Sequence, residues 1–280
     1  MDQMDLVLEI RHLACAYLPG KTVLDIEALD IPYGRLVFII GRSGIGKSTF
    51  IETLGLMSQT IVPAERSHIR FYPRGASAEP IELKDSWQLP NADLAQLRRQ
   101  YFSFIFQQTN LMPNFSAGEN MMVSRLNEGA GMAQVKEEVM EVMGKLSLEA
   151  ALFDKKISHL SGGQRQRLAF VRAITADFTI LFGDEPTGNL DRHTAEELMT
   201  VLKQQIARQG RTGIIVSHDL PLAAQFADLI VPITPRWDGA GEVSGQLRAQ
   251  DILRRDGDRW RDAEGKTIDR VVDHHPINRL

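Results

Sequence analysis

The chain has 280 residues, 43% of them hydrophobic, which is enough to bury a substantial core. Its formal net charge of −4 excludes the strong overall positive field that attracts nucleic acids or anionic membranes. The single cysteine excludes an intrachain disulfide and favours a reducing compartment. We expect a cytoplasmic protein, because the start MDQMD lacks the basic and apolar parts of a secretory signal, and the apolar runs are far shorter than the ~20 residues of a membrane-spanning helix.

Residues 7–40 predict short strands. Turn signals at residues 19–20 and 32–34 separate them. The last strand, LVFII at residues 36–40, is apolar at every position, which is typical of a parallel strand covered on both faces. A helix is predicted next, over residues 50–57.

Residues 59–106 predict a small lobe and then a return to the core. Residues 59–92 mix prolines and glycines with short β-like pieces, HIRFYP and PIELKD, and indicate a β lobe or insertion. Residues 93–100 predict a helix, and YFSFIF at residues 101–106 predicts a buried strand.

A mostly helical block is predicted over residues 116–175. Ser116 and Glu119 have the spacing of a capping box, in which each side chain satisfies an unpaired amide at a helix start. Farther along, five apolar residues recur at helical spacing and form one stripe, which core packing explains best: Val135, Val139, Val142, Met143 and Leu146.

The elements after this block alternate between strand and helix. Residues 179–182 predict a strand, residues 194–208 a helix ended by Gly210, and residues 213–217 another strand. This alternation is typical of the α/β class.

The clearest functional signal is GRSGIGKS at residues 41–48, which fits G-x-x-x-x-G-K-[ST] between a predicted strand and a predicted helix. Glycines let such a loop point its N–H groups at an anion, and the helix adds its positive N-terminal end. Lys47 would reach the β- and γ-phosphates, and Ser48 would ligate magnesium. The alternative is a glycine-rich turn without a ligand. The candidate nucleotide-binding residues here are Gly41, Ser43, Gly44, Gly46, Lys47, Ser48 and Thr49.

A second signal is the pair of carboxylates Asp184 and Glu185, which follow the predicted strand of residues 179–182. Ligands of open α/β folds bind at this carboxyl edge of the sheet. Asp184 would hold magnesium, and Glu185 would orient the attacking water and accept its proton. Without the phosphate loop, exposed acids at a strand end would be the favoured interpretation.

The third signal is LSGGQ at residues 160–164, followed by RQRLAFVRAI. It predicts a helix capped by Ser161 whose first amides face outward as an anion site. Together with GRSGIGKST, the Asp-Glu pair and the GNLD that follows, it resembles the nucleotide-binding domain of ATP-binding cassette (ABC) proteins over residues 6–233. The resemblance implies an α/β P-loop NTPase of ABC type, with a mostly parallel core sheet, an antiparallel β lobe and a helical subdomain.

The resemblance also implies roles for single residues. Tyr17 matches the aromatic that stacks on adenine, although a half-buried strand tyrosine is the alternative. Gln107 matches the glutamine that senses magnesium and the attacking water. His218 matches the histidine that contacts the γ-phosphate, against the usual structural role of a lone histidine. Asp191 belongs to the segment that matches the loop that communicates across the dimer.

In proteins of this type, the LSGGQ helix start of one chain completes the phosphate pocket of another. This sequence has one copy of each motif, so the resemblance implies a homodimer or a pairing with a similar subunit. ATP would close the dimer because its γ-phosphate touches Lys47 and Gln107 of one chain and Ser161 and Gly163 of the other. Gly162 and Gln164 are further candidate nucleotide-binding residues of the same signature. Because ADP lacks the γ-phosphate, it does not favour the closed state.

The stretch PNFSAGEN and the GNLD motif most resemble ATP-binding subunits of the lipoprotein-release, macrolide-export and cell-division group. The resemblance implies a cytoplasmic ATPase, peripheral on the membrane, that uses ATP and Mg²⁺ and docks on an integral-membrane, permease-like partner beside the segment after Gln107. Transport and mechanical force transmission both remain open.

Two alternatives come from other classes. A soluble ABC ATPase acting on nucleic acid would carry a long coiled coil, and one acting on ribosomes would carry two cassettes. A silent, regulatory nucleotide-binding cassette would not need Lys47, Glu185 and His218. The sequence shows neither a long coiled coil nor a second cassette, and it retains all three residues. We therefore expect an active ATPase with no direct nucleic-acid partner.

We expect one ATPase domain and a tail without assigned chemistry. In the tail, a hairpin is predicted near residues 239–245 and a helix near residues 248–255. The predicted divisions are the ATPase domain at 1–234, its variable β lobe or insertion at 59–100, its helical subdomain at 108–175, and the C-terminal extension at 235–280.

Overall fold

The computed structural model describes residues 5–74, 79–188, 190–237 and 243–273. Its strands are β1 (Leu6–Leu18), β2 (Lys21–Pro32), β3 (Leu36–Ile40), β4 (His68–Phe71), β5 (Ile81–Glu82), β6 (Phe102–Ile105), β7 (Ile180–Asp184), β8 (Thr212–Ser217), β9 (Leu229–Pro232), β10 (Thr234–Trp237), β11 (Val243–Leu247), β12 (Leu253–Asp256), β13 (Arg259–Arg261) and β14 (Thr267–Ile268). Its helices are α1 (Lys47–Leu54), α2 (Asn91–Tyr101), α3 (Ala117–Asn127), α4 (Met132–Lys145), α5 (Gly162–Thr175), α6 (Arg192–Gln209) and α7 (Leu220–Phe226).

The core sheet has the order β14-β13-β12-β9-β3-β8-β7-β6. Strands β9, β3, β8, β7 and β6 are parallel, and β12 to β14 add an antiparallel edge. Strand β3 is buried at every position. Leu36, Phe38 and Ile40 face one hydrophobic cluster and Val37 and Ile39 face the other, so both faces of the sheet are covered, as the sequence predicted.

A second sheet of order β10-β11-β2-β1-β4-β5 forms the β lobe, and among the described residues the predicted lobe segment of residues 59–100 contributes only β4 and β5 to it. Its pairs are antiparallel except for the parallel pair of β11 and β2. It shares a hydrophobic cluster with helix α1 and one face of the core sheet. The fold therefore combines a mostly parallel core, a mostly antiparallel lobe and helices, which confirms the predicted fold class.

The helical block packs on the other face of the core sheet. Helix α3 begins at a capping box of Ser116 and Glu119, and α4 buries Val135, Val139, Val142 and Met143, so both sequence predictions are confirmed. Helix α6 ends at Gly210, which has a φ of 63°, in the left-handed conformation common after a helix.

The predicted boundaries of α1 were wrong. The helix begins at Lys47 rather than residue 50, because the phosphate loop passes directly into it, and ends at Leu54. Gly55 caps this end, and Leu56 has a φ of 57°, which does not continue a helix.

The predicted tail helix was also wrong. Residues 249–251 form a short 3₁₀ turn, and β12 follows. Leu253 and Arg254 pair with Ile230 and Leu229 of β9, so an available sheet edge overrides local helix propensity. The predicted hairpin exists as β10 paired with β11, and the residues that connect these strands, 238–242, lie outside the described part of the chain. Residues 75–78 of the lobe and the end of the tail, 274–280, lie outside it as well.

Candidate nucleotide site

The phosphate loop joins the carboxyl end of β3 to the first residue of α1. Gly44 and Gly46 have φ values of 77° and 99°, a conformation that side chains with a Cβ rarely adopt. Gly46 is the N-cap of α1 and supplies no side-chain cap, so the first amides of the helix are open to an external acceptor. The loop thus presents N–H donors and a positive helix end at one place.

Lys47 is buried inside this loop. Its Nζ donates to the carbonyl oxygens of Gly41 and Arg42, both at 2.9 Å, and lies 3.9 Å from Oε1 of Glu185. Burial lowers the pKa of Lys47, while the nearby Glu185 and Asp184 oppose this shift. Because burial disfavours the charged ammonium, Lys47 is stabilised by a polyanion that enters the loop.

Asp184 lies at the end of β7 and accepts a hydrogen bond from the Ser48 side chain. Burial raises the pKa of Asp184, with the hydrogen bond from Ser48 opposing the shift. Among the described residues, no group of three or more His, Cys, Asp or Glu side chains surrounds a metal position. The pair suits Mg²⁺ nonetheless, because this ion commonly takes one or two protein oxygens together with substrate phosphates and water.

Glu185 adopts a φ of 44°, unusual for a residue with a side chain. Its amide donates to the carbonyl oxygen of Val216 on β8 at 3.0 Å, which fixes the turn against the neighbouring strand. Its Oε1 lies 3.3 Å from Nδ1 of His218, just beyond the end of β8. Lys47, Glu185 and His218 therefore converge at one edge of the sheet, although Lys47 and His218 are 171 positions apart in the sequence.

Tyr17 lies beside the first turns of α1. Its hydroxyl donates to Oε2 of Glu52 at 2.9 Å and lies 3.2 Å from Oγ1 of Thr49. The side chain is 54% exposed, which leaves ring surface available for stacking. Ser43 is exposed in the loop.

The LSGGQ segment caps α5. Ser161 Oγ accepts from the Gln164 amide at 3.2 Å, and Gln164 Oε1 accepts from the Ser161 amide at 2.9 Å. Gly162 has open space where a Cβ would stand, and Gly163 has one neighbour there at 4.0 Å, Leu190 Cδ2. Within the described ranges, no hydrogen bond joins this helix start to the phosphate loop.

Two other predicted residues, Gln107 and Asp191, make no hydrogen bond to the phosphate loop in the described part of the chain. Gln107 is exposed just beyond β6, and in the described part of the chain its side chain makes no hydrogen bond to Lys47, Ser48 or the carboxylates. Asp191 caps α6 by accepting from the amide and hydroxyl of Thr194. Asn189, the second residue of the GNLD motif, lies outside the described residues.

Sequence reasoning missed two polar links around the site, of which the first is buried. Gln166 is buried and its Nε2 donates to the carbonyl oxygen of Pro186 at 2.7 Å, which ties the LSGGQ helix to the residue after Glu185. Arg172 donates to the carbonyl oxygens of Thr109 and Asn110 and so anchors the segment after Gln107. The signal for Gln166 was its spacing, since it lies four residues before the buried Phe170 on the same helix face.

The fold and site together define the class: an α/β protein of the P-loop NTPase type, with a phosphate loop, a Ser48-Asp184 pair beside it and a Glu185-His218 pair at one sheet edge. A family model described as ABC transporter matches residues 24–188, more than half of the chain. The chain therefore belongs to the ABC transporter family.

Several relatives and solved structures resemble the chain. The macrolide export ATP-binding/permease protein MacB of Photorhabdus laumondii is 37% identical over 230 residues, which cover 81% of this chain and 33% of that protein. MacB of Vibrio parahaemolyticus is 35% identical over 253 residues, which cover 89% of this chain and 35% of that protein. The dimeric structure of MJ0796, a bacterial ABC transporter cassette, matches with a TM-score of 0.70 at 26% identity, covering 89% of this chain and 99% of that one.

A second MJ0796 structure, a dimeric post-hydrolysis state bound to ADP and Pi, matches with a TM-score of 0.66 at 27% identity and covers 80% of this chain and 93% of that one. The chain spans about a third of the length of the curated relatives named above. In its described part, we find no helix with both the length and the apolar character that a bilayer crossing requires.

Proposed function

We propose that this chain is the ATP-driven subunit of a membrane transport or force-transmitting complex, and that it works as a head-to-tail dimer. The observation that carries the catalytic part is the convergence of Lys47, Glu185 and His218 beside an open phosphate loop. We propose that the ATPase unit is residues 1–234 and that residues 235–280 extend it.

Phosphate binding begins at the loop of residues 41–49. The loop amides and the start of α1 receive the phosphate oxygens, and Lys47 exchanges its contacts with the carbonyls of Gly41 and Arg42 for the β- and γ-phosphates. Tyr17 stacks on the nucleobase, since its exposed ring stands beside the same helix. Ser48 and Asp184 would hold Mg²⁺ and Gln107 would sense it, and the ion would supply charge neutralisation at the phosphates.

Hydrolysis uses the Glu-His pair. Glu185 orients the attacking water and accepts its proton, because its carboxylate lies among Lys47 and His218 at the carboxyl edge of the sheet. His218 contacts the γ-phosphate and holds Glu185 in place. Gln107 lies exposed just beyond β6 and makes no described hydrogen bond to Glu185 or His218, so it must move toward these two residues to take part in hydrolysis. A moving Gln107 would link the catalytic centre to the segment that Arg172 anchors.

Dimerisation completes the site. The start of α5 is open at Gly162 and Gly163 and makes no described hydrogen bond to its own phosphate loop, so it is available to the nucleotide of a second copy. The dimeric MJ0796 cassettes support this arrangement by similarity. In it, Ser161, Gly163 and Gln164 approach the γ-phosphate, and Asp191 lies at the dimer contact. The partner is a second copy or a paired ABC subunit.

Coupling to a membrane is proposed from the relatives. The MacB proteins named above are ATP-binding/permease proteins, and this chain spans about a third of their length. We propose that a separate permease-like protein supplies the membrane part and docks beside the segment after Gln107, which would place the chain on the cytoplasmic face. Recovery of this chain with an integral-membrane protein from detergent-solubilised cells supports this coupling, whereas recovery only with nucleic acid or ribosomes contradicts it.

A binding experiment tests the nucleotide site. Wild-type protein should bind a fluorescent ATP analogue with Mg²⁺ and release phosphate from ATP, and Lys47→Ala should lose both. Lys145→Ala is the matched control, because this lysine pairs with Glu141 on the exposed face of α4 and should bind normally. Equal binding by wild type and Lys47→Ala would contradict the assignment of the loop.

A further inference from the structure

Residues at the end of the proposed ATPase unit, and in the strand β11 beyond it, pack against the phosphate loop. Ile233, between β9 and β10, donates its amide to the carbonyl oxygen of Ile40 at 2.7 Å, and a methyl carbon built on Gly41 would lie 3.0 Å from the Ile233 carbonyl oxygen. The start of the loop is therefore in close contact with the chain segment that leads into the tail.

Gly245 on β11 makes the tightest of these contacts. A methyl carbon built there would fall well inside van der Waals contact of the Ile45 carbonyl oxygen, 3.3 Å from the Ile45 carbonyl carbon and 2.7 Å from Ile233 Cγ2. In the sheet, Gly245 lies between Pro235 of β10 and Leu24 of β2. A methyl carbon on Gly46 would lie 3.3 Å from Leu24 Cβ, so β11 and β2 together form a wall behind loop residues 45 and 46.

We propose that Gly245 is a positioning residue for nucleotide binding, which acts by letting β11 support the backbone of the phosphate loop at Ile45. The inference rests on the proposed nucleotide site at residues 41–49. It assigns a role to a tail in which the sequence showed no chemistry.

The physical reason lies in the main chain of the loop. The Ile45 amide is directed to the carbonyl oxygen of Arg42 at 3.4 Å, within the loop, and the Ile45 carbonyl faces Gly245. Any side chain at position 245 must move either β11 or this peptide unit. Because Gly46 follows directly and caps α1, a rotated peptide at residue 45 misdirects amides that receive phosphate.

The test compares Gly245→Ala with Ser244→Ala, its neighbour on the opposite face of the strand. Mg-ATP affinity is measured by titration of a fluorescent analogue, together with kcat, KM and circular dichroism. Gly245→Ala should bind at least about tenfold more weakly, since misplacing a binding group by ~1 Å can cost on the order of 100-fold. Ser244→Ala should bind like wild type. Equal affinity of folded Gly245→Ala and wild type would overturn the proposal.

A double variant separates loop support from side-chain packing. Gly245→Ala with Ile233→Ala removes the crowding at Cγ2 of Ile233 but not that at the carbonyl of Ile45, so affinity should stay weak relative to Ile233→Ala alone. Restored affinity would overturn the proposal. If wild type itself binds no nucleotide while it is folded, the proposed function fails, and this inference fails with it.

Hydrogen exchange provides a readout that needs no folded variant. ADP added to wild type should slow exchange in β11 as well as in residues 41–46, because the two segments are in contact. If Gly245→Ala does not fold, this measurement decides: protection of the loop alone, with β11 unchanged, would overturn the proposal.

Discussion

Oε1 of Glu185 lies 3.3 Å from Nδ1 of His218, at the carboxyl ends of the neighbouring strands β7 and β8. The glutamate side chain is 20% exposed and the histidine 65%, so the carboxylate lies deeper and the imidazole lies on the solvent side. The arrangement lets His218 fix one carboxylate oxygen while the other remains available to a water molecule.

The contact predicts a catalytic loss for His218→Ala. The variant should lower kcat on the order of 100-fold with a smaller change in ATP affinity, because one positioned donor at the reacting phosphate is removed. His193→Ala is the matched control, since His193 forms an exposed pair with Glu197 at 3.7 Å on α6. Phosphate release from ATP, measured for both variants, tests this prediction. If both changes lowered the rate equally, His218 would have no special role.

Ser161 and Ser116 offer a second matched pair, because each caps a helix through a capping box. Each change to alanine should cost about 1 kcal/mol of unfolding free energy, as expected for a lost cap. Only Ser161→Ala should also weaken ATP-dependent dimerisation, since only its helix start is proposed to meet a nucleotide. Chemical denaturation and light scattering measure the two effects. Equal dimerisation by both variants would contradict the role of LSGGQ.

The raised pKa of Asp184 predicts a conflict between stability and function. In the unfolded chain this carboxyl ionises near its ordinary value of 3.8, and burial makes it ionise at higher pH in the fold. The nucleotide-free protein therefore loses stability as the pH rises from 3.8 through the folded pKa. Asp184→Asn should be more stable than wild type at pH 7, because it removes the buried charge, and should lose Mg-dependent ATP hydrolysis.

The control for this prediction is Asp191→Asn. Hydrogen bonds from Thr194 lower the pKa of Asp191, so its contribution to stability is present above 3.8 and is lost as the pH falls through the folded pKa. This substitution should therefore give no gain at pH 7. Thermal unfolding between pH 3 and 8 measures both variants, and an Asp184→Asn protein less stable than wild type at pH 7 would contradict the account.

Much of the core fold was predictable because its signals are local. The apolar run of residues 36–40 and the capping box at Ser116 each follow from neighbouring residues alone. The tail was not predictable in this way. Residues 253–256 become a strand only because β9 offers a free edge, and that edge is a product of the assembled sheet.

The candidate site was predictable where a motif carries its own chemistry. Lys47, Asp184 and Glu185 follow from spacing and residue type, and the structure brings their side chains together. The contacts that hold the site in place were not visible. Helical spacing places Gln166 on the buried face of its helix, but the sequence does not show that Gln166 contacts the Pro186 carbonyl or that Gly245 contacts the Ile45 carbonyl.

The central claim is that nucleotide joins two copies, each of which supplies part of the other's phosphate pocket. The most direct measurement is the mass of Glu185→Gln by light scattering with Mg-ATP and with Mg-ADP. This change should lower hydrolysis by at least about 100-fold, as expected for loss of a general base, while ATP binding persists. With ATP, the mass should be twice the 31.4 kDa of one chain, and with ADP it should be that of one chain. A single chain that retains bound ATP at saturating concentration would contradict the account.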